Sequence, residues 1–279
     1  MKKLLGFILT LIAAFLVATP GWAGSIFLTG HDPDFHARQG GNTVGARTIN
    51  QVAIGFVMDP LFNPFAVGPG DKFLFVQSAI SPPGGHINGK LGITDSGFVE
   101  GVDFDHHTAL TLNAALDQLG TTYSAIVVAS DFGGILTQVE LNILNTRSVD
   151  IINFLNAGGG LYAMAESNNG AHLTPSGGQF DFLPFVVPSS PADQTEVGFL
   201  VTPFGQSLGL TNSDVNGNAS HNVFDSVPAG LQTVDIDGQE RIISVAGRAQ
   251  LPVPEPTALM LLGAGLVGLL VRSRRGARR

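Results

Sequence analysis

The run Gly30-His31-Asp32-Pro33-Asp34-Phe35-His36 places two imidazoles and two carboxylates within six residues. Imidazole nitrogen and carboxylate oxygen are the donors that Zn²⁺ and Mn²⁺ accept. A proline-containing loop lets alternate residues turn toward one centre. His31, Asp32, Asp34 and His36 are therefore the sharpest candidates for a divalent-cation cofactor. The same residues also have an ordinary structural use, in which the aspartates cap the following turn and the histidines bond locally.

Other polar groups are less specific. Asp103-Phe104-Asp105-His106-His107 precedes an apolar helical pattern, so N-capping is the plain expectation and a metal or substrate contact the alternative. Asp214-Val215-Asn216-Gly217-Asn218 resembles the start of a calcium loop, with Asp225 in the twelfth position. The glycine of such loops belongs in the sixth position, where Ala219 stands, so a turn is expected. Ser167 follows an apolar run, but Ala165-Glu166-Ser167-Asn168-Asn169 lacks the Gly-x-Ser-x-Gly elbow of serine hydrolases. Cysteine is absent, which excludes disulfides, thiolate metal sites and cysteine nucleophiles.

The elements that would position these groups read as α/β. Apolar runs at Ser25–Thr29, Lys72–Gln77, Tyr123–Ala129 and Leu161–Ala165 are continuous rather than alternating, as in strands buried on both faces. Helical spacing covers Thr43–Met58, Thr108–Leu119 and Thr137–Asn156, with one more short helix allowed in the glycine-rich stretch 82–101. Strands alternating with helices predict a mostly parallel sheet flanked by helices, with Tyr123–Ala129 central. Beyond Ala171, strands are expected at Phe180–Val187, Val197–Thr202 and Arg241–Val245, as loop-rich β additions to one domain spanning 24–250. Ligands of such sheets bind beyond the carboxyl ends of the strands. His31 and Asp32, Asp131, and Glu166 with Ser167 all follow strands and are expected around one cleft, with His221 reaching it from a loop.

The segment from Tyr123-Ser124-Ala125-Ile126-Val127-Val128-Ala129-Ser130-Asp131 through a helix to Phe154-Leu155-Asn156-Ala157-Gly158-Gly159-Gly160-Leu161 resembles class I glutamine-amidotransferase-like domains. The resemblance implies an α/β sheet whose next strand would carry a cysteine at a nucleophile elbow. Met164-Ala165-Glu166-Ser167 stands there instead, so the glutaminase reaction is not implied. A flavodoxin-like or other open α/β fold is the nearby alternative.

Both ends read as addresses. Lys2 and Lys3, the apolar run Leu4–Ala18, and Gly21-Trp22-Ala23 give a signal peptide cleaved by signal peptidase between Ala23 and Gly24. The tail is Val253-Pro254-Glu255-Pro256, an apolar run from Ala258 to Val271, and a basic end with Arg272, Arg274 and Arg275. It resembles the PEP-CTERM signal of Gram-negative bacteria that make exopolysaccharide. The resemblance implies a short transmembrane helix, processing by an exosortase near Pro-Glu-Pro, and delivery to the cell surface or extracellular matrix. Between these ends, seven basic residues face 21 acidic ones, a formal charge of about −14. Such a body repels phosphates, so nucleic acid is not an expected partner. The expected function is a non-catalytic surface or matrix protein binding a glycan, such as exopolysaccharide, or a protein partner. The alternative is an extracellular metal- or carboxylate-dependent hydrolase of polysaccharide.

Overall fold

A computed structural model describes residues 24–68, 71–78, 88–131, 136–164, 180, 182–183, 187–195 and 197–249. The signal peptide, the PEP-CTERM tail with its expected transmembrane helix, and the expected cleft residues Glu166 and Ser167 lie outside them. No helix among the described residues is long and apolar enough to cross a membrane.

Among the described residues, ten strands form one sheet. Its parallel half holds β1 (Gly24–Thr29), β2 (Lys72–Val76), β3 (Phe104–His107), β4 (Tyr123–Val128) and β5 (Gly160–Met164), in the order β3-β2-β4-β5-β1. All four expected parallel strands are present, and β4 is central in this half. The other half is antiparallel, which corrects the expectation of a mostly parallel sheet. There β10 (Ile242–Ala249) pairs along the whole of β1, and β8 (Ser220–Phe224) and β6 (Ser189–Thr195) continue the sheet. On a branch, β9 (Leu231–Ile236) pairs β10, and β7 (Leu200–Val201) pairs β9.

Both faces of the parallel half are covered. Leu28, Val76, Ile126, Val128 and Leu161 pack with Leu116 of α4 (Leu112–Leu116), Leu141 and Leu144 of α5 (Gln138–Thr146), and Ile151 and Leu155 of α6 (Ser148–Asn156). On the other face Phe27, Phe73, Phe75, Val127 and Tyr162 meet Ile49, Ala53 and Val57 of α2 (Thr43–Val57). This two-sided burial explains the continuous apolar runs: neither side of the pleat meets water.

Several elements differ from expectation. Thr137–Asn156 is two helices, breaking at Arg147, whose guanidinium turns to Asp150 and Asp117. The helix expected over Thr108–Leu119 is helical only from Leu112 to Leu116. Asp103–His107 is no helix cap: Phe104–His107 form the edge strand β3, and Asp105 pairs with Lys72 of β2. The strand expected at Phe180–Val187 lies partly outside the described residues; those of it that are described are not in a strand, and β6 begins at Ser189. The Asp214 run is the end of a one-turn helix, Asn212–Val215, and the turn after it: Asp214 sits in a capping box with Thr211, and the Asp225 carboxylate accepts from the Ser190 hydroxyl.

The two ends of the described body are neighbours. Gly24, first residue of β1, is the cross-strand partner of Ala249, last residue of β10. The opposite end of β1 runs into Gly30 and the His/Asp run.

Candidate functional site

Pro33 opens the one-turn helix α1 (Pro33–His36), its fixed φ suiting the first helical position. The Asp32 carbonyl accepts from the amides of Phe35 and His36, at 3.0 and 3.2 Å. Residues four apart on a helical turn share a face, so the Asp32 and His36 side chains meet. Two close approaches hold this turn. A β-carbon on Gly92, in α3 (Gly89–Asp95), would lie 1.8 Å from the Asp34 carbonyl oxygen. One on Gly30 would lie 2.1 Å from the Asn222 carbonyl oxygen, so glycine lets β8 come against the chain leaving β1. There the His221 amide donates to the Gly30 carbonyl at 2.9 Å.

The result is a buried cluster of Asp32, His36 and His221. Nε2 of His36 is 3.2 Å and Nε2 of His221 3.3 Å from Oδ1 of Asp32. One ligand atom from each residue lies within 4.8 Å of the other two. Both contacts reach the same carboxylate oxygen. Burial opposes ionisation of Asp32, but His221 and then His36 outweigh it and hold the carboxyl below the usual range.

His31 and Asp34 do not join this group. Nδ1 of His31 lies 3.1 Å from the Ala219 carbonyl oxygen and Nε2 2.9 Å from Oδ2 of Asp235, the whole pair buried. Both ring nitrogens are thus engaged, and the four-residue set read from the sequence divides in two. Asp34 turns to the end of β4: its Oδ2 accepts from the Ser130 amide at 3.0 Å and its Oδ1 from the Ser130 hydroxyl at 2.9 Å. Burial, reinforced by the Asp32 charge, pushes the Asp34 carboxyl up to about 7, against the Ser130 and Phe35 hydrogen bonds. Asp131 follows Ser130 and is buried at the same edge. Beneath them the Tyr162 hydroxyl donates to Asn50, whose amide donates to the Pro33 carbonyl.

His221 approaches from strand β8, not from a loop. No local signal could have joined it to Asp32, since only the β8 docking at Gly30 brings them together. The second cluster, Asp105 with His107 and Tyr123, is separate: the Tyr123 hydroxyl lies 2.9 Å from Nε2 of His107 and 3.2 Å from Asp105.

Residues 252–275 match the PEP-CTERM protein-sorting motif. This chain therefore carries the mark of an exported, exosortase-processed protein, transiently anchored and sorted to the cell surface, with exosortase as its processing partner. No curated protein and no solved structure matched the chain. The amidotransferase-like resemblance of the body rests on the residues within 123–161 alone.

Proposed function

We propose that the mature chain is a non-catalytic surface or matrix protein. Its single α/β body, 24–250, binds a glycan or a protein partner at the carboxyl edge of the parallel strands. One relationship supports this reading. The sorting tail follows β10, whose last residue pairs with the start of β1, while Asp32, His36 and His221 gather beyond the end of β1. With strand residues rising about 3.3 Å each, the site lies on the order of 17 Å from the tail's point of attachment. An anchored body then presents the site away from the membrane. The test is co-sedimentation of the surface-released protein with matrix polysaccharide. Retention that fails on substituting residues of this edge supports the reading, whereas a protein left wholly in the supernatant of polysaccharide and matrix protein overturns it.

A second reading, a metal-dependent hydrolase of extracellular polysaccharide, is favoured by the two-histidine, one-carboxylate set, which is of the kind that leaves a metal position open for water. New reducing ends released from the polymer by the purified protein, and lost in His221→Ala, would replace the binding role with this one.

A further inference from the structure

We infer that Asp32, His36 and His221 form a divalent-cation site of the zinc type, with the fourth position left to water or a ligand atom. The inference shares its location with the binding role proposed above but does not require it.

Three observations carry it. The first is spacing. Tetrahedral zinc holds nitrogen and oxygen donors at about 2.0–2.1 Å, which sets neighbouring donors about 3.3–3.4 Å apart. The two His-to-Asp32 separations are 3.2 and 3.3 Å. The second is the state of the carboxylate. Asp32 is 2% exposed, and its Oδ1 is the atom that faces both rings. A buried carboxylate oxygen aimed at two imidazole nitrogens is placed as one ligand of a shared cation would be. The third is charge. Two neutral imidazoles and a carboxylate around a dication leave one net positive charge. The acidic body accommodates that charge.

Asp34 and His31 frame the site without being ligands. The first anchors the turn to Ser130, and the second ties the start of the turn to Asp235.

The test uses the full chain, stripped with EDTA and titrated with ZnCl2 by calorimetry, with metal counted by elemental analysis. One equivalent of zinc is expected, with at least a tenfold loss of affinity in Asp32→Asn and in His221→Ala, comparable to or larger than losses from outer-shell changes at metal sites. His107→Ala, at the separate cluster, should bind as the parent does. Absence of stoichiometric zinc, parental zinc affinity in either ligand variant, or tighter binding of MnCl2 titrated in the same way overturns the inference. Should either variant fail to fold, the parent decides alone. Zinc should raise its melting temperature in a concentration-dependent way and shift the nitrogen resonances of two histidines; no movement of either overturns the site. Polysaccharide co-sedimentation repeated in EDTA separates the two readings, because a body that binds polymer without metal keeps the first and loses nothing to the second.

Discussion

Nε2 of His31 lies 2.9 Å from Oδ2 of Asp235, and Nδ1 of the same ring 3.1 Å from the Ala219 carbonyl oxygen. A carbonyl only accepts, so Nδ1 carries a proton. The pair is fully buried and joins the end of β1 to the end of β9. Removing one partner leaves the other charge stranded, at a typical cost of about 3–5 kcal/mol. His31→Ala should therefore unfold at a much lower denaturant concentration. Asp235→Ala should do the same, and the double variant should cost less than the sum of the two. Additive losses in a double-mutant cycle would refute the coupling.

Asp34 gives the stability curve a definite sign. Its folded carboxyl is raised to about 7 from an ordinary 3.8, through burial first and the Asp32 charge second. The unfolded chain releases this proton earlier, so the contribution is complete below about pH 4, is lost as pH rises toward 7, and is constant above. At about 1.4 kcal/mol per pH unit, the change amounts to a few kcal/mol. In EDTA-treated protein, urea unfolding from pH 4 to 8 should show this decline in the parent relative to Asp34→Asn. Parallel curves for the two proteins would contradict it.

Gly92→Ala tests how the turn is held. The added β-carbon would sit 1.8 Å from the Asp34 carbonyl oxygen, a backbone atom that cannot rotate away. Overpacking of this kind costs about 1–3 kcal/mol. Because the displaced atom belongs to the turn between Asp32 and His36, zinc affinity should fall with stability. By contrast, Gly55→Ala, in the same protein but with open space at its β-carbon, should leave both nearly unchanged.

Processing gives the fourth expectation. The surface-delivered form should begin at or near Gly24 and lack the terminal arginines, as read by N-terminal sequencing and intact mass. Replacing Pro254, Glu255 and Pro256 with alanine should leave the tail attached and the protein in the membrane fraction. A major surface species that retains Met1 or Arg279 would contradict this.

The legible part of the fold was the part buried on both faces. Ile26–Leu28, Phe73–Val76, Ala125–Val128 and Leu161–Ala163 announce themselves because every position avoids water. β3 did not, since Asp105, His106 and His107 at a sheet edge keep polar side chains that also suit a helix cap. β8 hid for a different reason: Ser220, His221 and Asn222 are buried yet polar, and composition reads such residues as surface. Half of the site was legible as a run of donors, but as a loop with alternate residues turned inward, whereas a one-turn helix brings Asp32 and His36 together. The other half depends on a tertiary contact, Gly30 against Asn222, that no local pattern encodes. The same logic separates His31 from its neighbours: its partner Asp235 is distant in sequence.

The pairing of Gly24 with Ala249 sets the order in which the body can be completed. In a chain exported from its amino terminus, β1 emerges first and β10 last among the ten strands. β1 can take β5 as a neighbour partway through, but its other edge stays open until β10 has crossed. Joining the extremes of a chain is the slowest kind of contact to form, because loop closure must be met before it is rewarded. Until then, β1 presents unpaired amides and carbonyls to any passing strand. Translocation therefore leaves a window of vulnerability that closes only when the last strand arrives, just ahead of the sorting motif. Transient anchoring of that tail keeps the unfinished sheet close to its point of exit while the final strand slots in.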